Sequence, residues 1–213
     1  MDTQPQPSRK TILWLGESEC HDPYHVGGKA ASLSRLAQHH PVPPGFAITA
    51  TSFQLAAAGL GAAGTLNLPE EVRNEVAAAY LRLAERCGLV DVGVAVRSSA
   101  VDEDGGDASF AGQHETFLNV AGVDSVVEAV EQCWVSFSAP HAVEYRRKQG
   151  LPVEKVRAAV LVQQLVVADV SAVMFTADPV SGRRSEIVIN ASWGLGESIV
   201  GGTVTPDVCA VAK

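Results

Sequence analysis

Apolar residues alternate between two spacings along this chain, and the spacing changes mark the elements. A short apolar run, "TILWL" at 11–15, reads as a strand. "GGKAASLSRLAQH" at 27–39 reads as a helix opened by two glycines. "PVPPGF" at 41–46 is a rigid turn into a short strand at 46–48, after which Thr49 or Thr51 can cap a further short helix. Residues 69–87 predict a longer helix. Pro69 and the acids Glu70 and Glu71 suit its first turn, and Gly88 suits its stop. Val72, Val76, Ala79, Leu83 and Cys87 fall on one face of it. Strands are expected at 92–97 and 116–120. An amphipathic helix over 124–137 carries the stripe Val126, Val127, Val130, Trp134 and Phe137, and a second helix is expected at 139–149.

From about residue 150 the pattern turns to strands, at 156–166, 170–176 and 186–191, separated by polar turns such as "ADPVSGRRS". Helices come early and antiparallel-looking strands late, so the fold class is α+β rather than a doubly wound sheet. The Ala- and Gly-rich stretch 56–64 reads as a loop or lobe linker, with lobes of roughly 1–90 and 91–213.

Composition narrows the function classes. The chain has 213 residues, 46% of them hydrophobic, enough for a sizeable core. Its net charge of -8, with no basic block, disfavours nucleic acid and membrane surfaces as partners. Any anion it binds needs local cations or backbone amides. Cys20, Cys87, Cys133 and Cys209 are far apart in sequence and lack zinc spacing, so they read as reduced thiols of a cytoplasmic protein. The N-terminus has no apolar signal region, and no run reaches membrane-spanning length. The histidines show no ligand spacing, and no metal-ligand set is assigned.

Several stretches carry chemistry, each beside a plainer reading. In "GGKAAS", Lys29 sits in the first turn of a helix, where backbone amides already attract anions. A lysine there suggests a phosphate partner; otherwise it is a surface residue beside turn glycines. The Walker A pattern is not met, because Pro23 and Ala30 occupy two of its required positions. Arg97 ends a strand and precedes two serines, presenting a planar cation and two hydroxyls suited to phosphate oxygens. An ion pair with Asp102, Glu103 or Asp104 is the alternative. "SFAGQHETF" combines small residues at Ala111 and Gly112 with the hydroxyl of Thr116, and equally suits a hairpin. Gln163 and Gln164 interrupt an apolar strand. They face opposite ways, so one side chain can meet a nucleobase edge or a neighbouring strand. The acids of 102–107 can hold Mg2+ or simply be solvated.

Five stretches together resemble one family. They are "VGGKAASLSRL", "VPPGFAITATSF", "VAVRSSAVDEDGGDASFAGQHETFLNV", "VQQLVVADVSAVMFTADPVSG" and "ASWGLGESIVGGTVTPD". In this order they resemble the N-terminal ATP-binding domain of the phosphoenolpyruvate synthase, pyruvate phosphate dikinase and rifampin phosphotransferase family. The resemblance implies an ATP-grasp-like fold that holds ATP and Mg2+. It also implies phosphoryl transfer to a histidine on a separate swivelling domain, in cis or in trans. Lys29 and Arg97 would then neutralise the phosphates. Gly112 and Thr116 would line the phosphate path, and Gln163, Gln164 and Val166 would hold the adenine edge.

The chain also departs from the family. Gln164 stands where many relatives carry an acid, and Ala172 replaces a frequent glycine. The family's metal-binding acid and its nearby Gln and Arg have no counterpart before Lys213. The expectation is therefore an ATP-binding domain incomplete at its C-terminal side and inactive alone. It would be an excised piece, a split-gene component or a degenerate copy. A non-catalytic binding or interaction module that keeps the fold is the competing reading. Neither the phosphoryl acceptor nor the oligomeric state is legible.

Overall fold

The computed structural model describes residues 10–58, 68–100, 115–137, 143–144, 147–148 and 157–213. The acidic stretch 102–107, Gly112 and most of the helix expected at 139–149 lie outside them. Contacts divide the chain into two compact units, Met1–Leu165 and Val166–Lys213.

The first unit is built on a five-stranded sheet: β1 (Ile12–Trp14), β2 (Gly45–Ile48), β3 (Val94–Ala100), β4 (Thr116–Val120) and β5 (Ala158–Gln164). Its spatial order is β1-β2-β5-β3-β4, and each neighbouring pair is antiparallel. Among the described residues the longer helices that flank it are α1 (Pro23–Leu36), α2 (Ala50–Ala58), α3 (Glu70–Arg86) and α4 (Val123–Ser136). Mixed helices with antiparallel sheets match the α+β expectation.

Strand alternation sends the sheet's side chains to two cores. Phe46, Ile48, Val94, Val96, Val160 and Val162 pack with Val76, Tyr80 and Leu83 of α3 and with Val126, Val130 and Trp134 of α4. On the opposite face, Leu13, Ala47 and Leu161 pack with Val26, Ala30 and Ala31 of α1. The apolar stripes of α3 and α4 seen in the sequence are the surfaces that meet here. Covering both faces explains why β5 reads as an apolar run from Ala158 to Val162. Each large aliphatic side chain buried this way contributes about 1.5–3 kcal/mol.

The unit boundary falls after Leu165, not near residue 90. β1 and β2 precede residue 90, yet they are hydrogen-bonded into the same sheet as β3 and β5. A strand pairing that distant in sequence leaves no local mark.

The second unit is an antiparallel meander of β6 (Val170–Phe175), β7 (Glu186–Trp193) and β8 (Asp207–Ala212). A one-turn helix, Glu197–Val200, lies between β7 and β8. Neither it nor β8 stands out in the hydrophobic pattern. The "DVCAVA" of β8 mixes small and apolar residues without clear alternation, and pairing with β7 makes it a strand.

Candidate functional site

α1 begins four residues before the glycine pair expected to open it. The Asp22 side chain accepts the N–H of Tyr24 at 2.9 Å, and Pro23 occupies the first turn, where its missing N–H has no cost. At Gly27 the backbone leaves the helix, with φ 74° and ψ 167°. The glycine pair therefore starts a second helical segment, with Lys29 in its first turn. Gly27 has two reasons to be glycine. Its φ is positive, and a Cβ there would collide with the carbonyl oxygen and hydroxyl of Ser99.

This contact seats the start of the second segment on the end of β3. The N–H of Ala30 donates to Ser99 Oγ at 3.3 Å, and Lys29 Nζ donates to the carbonyl of Ser98 at 3.4 Å. The strand runs three residues past Arg97, where its sequence pattern ended, to Ala100. Both serines are buried. Ser98 Oγ donates to the carbonyl of Glu115 at 3.3 Å. The two hydroxyls expected to face phosphate are thus engaged in internal bonds.

Arg97 is half-buried, and its Nε is buried without a hydrogen-bond partner among the described residues. Its register partners are Thr116 on β4 and Leu161 on β5. Directly paired residues of an antiparallel ladder share a face. Leu161 belongs to the core under α1, so Arg97 and the exposed Thr116 lie on the α1 face, where Lys29 also resides. A buried guanidinium N–H left unpaired costs free energy unless a ligand or neighbour accepts it.

Gln163 and Gln164 separate as alternation requires. Gln163 lies two residues from Leu161, on the α1 face, and its Nε2 donates to the carbonyl of Pro43 at 3.0 Å. That bond ties the proline turn to the end of β5. The tie is close: a Cβ on Gly45 would lie 2.6 Å from the carbonyl oxygen of Val162. Gln164 pairs with Val94 and faces the opposite core, and its backbone N–H donates to the carbonyl of Pro44 at 2.9 Å. Val166 is exposed and belongs to the second unit. Of the expected site residues, the fold brings Lys29, Arg97, Thr116 and Gln163 to one sheet face. Gln164 points away from it.

Two roles are invisible in the sequence. Ser99, expected as a phosphate hydroxyl, is instead the acceptor for the helix start. Arg157, just before β5, places its guanidinium 3.5 Å from the centroid of the Tyr24 ring and donates to the Tyr24 carbonyl at 3.1 Å. It pins the first segment of α1 through cation–π and hydrogen-bond contact. The Asp22–Pro23 pair was the available signal for that early helix start. Cys20 and Cys133 are poor nucleophiles: burial pushes the Cys20 thiol up to about 11 and the Cys133 thiol up to about 12. Among the described residues there is no group of three His, Cys, Asp or Glu able to hold a metal ion, and no helix is long and apolar enough to cross a membrane.

Comparison with known proteins identifies the family. The family described as "Pyruvate phosphate dikinase, AMP/ATP-binding domain" matches residues 61–213. A phosphoenolpyruvate synthase of Pyrococcus furiosus is 50% identical over 70% of this chain, and one of Aeropyrum pernix is 39% identical over 96% of it. A probable phosphoenolpyruvate synthase of Methanocaldococcus jannaschii is 39% identical over 97% of it. The matched part is 18%, 29% and 20% of those proteins, so the chain spans less than a third of their length. The chain belongs to the pyruvate phosphate dikinase AMP/ATP-binding domain family.

Proposed function

We propose that this member of the dikinase ATP-binding family holds the phosphates of ATP on the α1 face of its five-stranded sheet. In this reading it serves phosphoryl transfer to a histidine on a swivelling phosphohistidine domain, in cis or in trans. The parent activity is that of a phosphoenolpyruvate synthase-like enzyme. The observation that carries the reading is the buried Nε of Arg97, without a hydrogen-bond partner among the described residues, on the strand whose next residue, Ser98, accepts from Lys29 Nζ.

The roles follow from charge and position. Arg97 offers a planar donor set and Lys29 a point charge to phosphate oxygens. Both act by offsetting negative charge as it shifts during transfer, without reorganising. Thr116 faces the same side as Arg97 and lines the phosphate path together with Gly112. Gln163, on the same face, is assigned to the adenine edge, and the Gln164 side chain, which faces the opposite core, is not. An ATP-grasp-like fold is part of the same reading. Mg2+ bound with ATP would supply further charge neutralisation at the phosphate oxygens.

Titration calorimetry of the 213-residue chain with Mg-ATP tests the proposal. Removing a charge-assisted contact costs about 1.5–3 kcal/mol, so Arg97→Ala and Lys29→Ala should each weaken ATP binding about 10- to 100-fold. An Arg97→Ala/Lys29→Ala chain that binds ATP as tightly as the unaltered one overturns it. The competing reading, a binding module without chemistry, is disfavoured by the family match. It would require that phosphohistidine formation fail even when the chain is combined with a phosphohistidine domain.

A further inference from the structure

We infer that Ser99 is a positioning residue that sets Lys29 in place, by capping the second helical segment of α1 from a strand 69 residues away in sequence. The inference rests on the ATP reading only for what Lys29 then meets.

A helix start leaves its first backbone N–H groups without helical partners, and a Ser side chain usually supplies an acceptor from the adjoining residue. Here the adjoining residue is Gly27, which has no side chain. The acceptor comes instead from Ser99 Oγ, fully buried at the end of β3, to the N–H of Ala30 at 3.3 Å. Lys29, one residue earlier, reaches the carbonyl of Ser98, one residue before Ser99. Two consecutive residues of the helix thus bond to two consecutive residues of the strand. Arg97 is the next residue back along that strand. The cation on the helix and the cation on the strand are therefore held to one register by a single hydroxyl and the close approach of Gly27.

Burial makes the arrangement stiff. The Ser99 hydroxyl has no access to water, and its backbone is locked in the ladder opposite Ala159. A residue in that setting can orient a neighbour without touching a ligand itself. That separates Ser99 from Arg97, whose own Nε is the group left to be satisfied.

The test compares the 213-residue chain with Ser99→Ala, Lys29→Ala and the double variant. Residue-resolved amide exchange without nucleotide should show the Ala30 N–H exchanging ~10-fold faster in Ser99→Ala, with α3 unchanged as the folding control. Mg-ATP titration should show Ser99→Ala weakening binding ~5- to 10-fold when Lys29 is present and less than ~2-fold in the Lys29→Ala background. Unchanged exchange at Ala30 overturns the cap. Equal losses in both backgrounds overturn positioning through Lys29 and leave Ser99 a purely structural residue. A chain that binds no ATP at all refutes the proposed function instead, while the exchange result still decides the cap.

Discussion

In the first unit, Ala158 through Val162 of β5 are fully buried; in the second, every residue of β8 is exposed. The contrast runs through both units. β5 has hydrogen-bonded neighbours on two sides and helices over both faces, whereas β6–β8 form a three-stranded meander with Val170, Met174, Trp193 and Val208 at least half exposed. The residue types differ little; what differs is how many layers cover them. Apolar content alone does not make a core, and the cations proposed to face phosphate are carried by the unit that has one.

The comparison can be broken most easily at Trp134, which is fully buried and lies edge-on to Phe53 at 5.6 Å. Trp134→Ala should cost about 3–5 kcal/mol, read as a lower urea midpoint by circular dichroism. A loss below about 1 kcal/mol would mean the first unit is not the stable one.

Gly27→Ala should cost about 2–4 kcal/mol, combining a positive φ with a clash against Ser99. The same variant should lose ATP affinity beyond Ser99→Ala, because the helix start is displaced rather than merely uncapped. Titration at matched folded fraction separates the two.

An alkaline effect should follow from the buried thiols. An unfolded cysteine titrates near 9, whereas Cys20 and Cys133 are held protonated to about 11 and about 12 by burial. The folded state binds more protons in that interval, so this stabilisation is complete below pH 9 and declines as pH rises toward 11–12. By about pH 10 the loss should be about 1–1.5 kcal/mol per thiol, measured as the fall in urea midpoint from about pH 7. Cys133→Ala should flatten that slope.

At the small end, Trp193 is 80% exposed on β7, so Trp193→Ala should change stability by less than about 0.5 kcal/mol. Amide exchange should rank the units the same way, slowest in β5 and fastest in β8. Comparable protection in the two strands would erase the distinction between them.

Legibility in the sequence followed the range of the physics involved. The stripes of α3 and α4 are period effects within one helix, and both helices end within a residue or so of where the pattern placed them. Lys29 and Arg97 were legible as cations at element ends, and their family context came from ordered local stretches. Alternation also foretold that Gln163 and Gln164 would part. It did not say which would share a face with Arg97; β3–β5 register decided that.

What the sequence by itself determined is local: the helix faces, the strand runs, the turn residues, a cation in the first turn of a helix and another within a strand. Only the tertiary structure decided that β1 and β2 join β3–β5 in one sheet, which moved the boundary from near residue 90 to after Leu165. It alone turned the two serines inward and made Ser99 the cap of a helix far away in sequence. The physical reason is the same in both cases. Hydrogen-bond partners across a sheet or between a strand and a helix are chosen by proximity in space, and nothing in the spacing of residues along the chain encodes which distant donor will arrive.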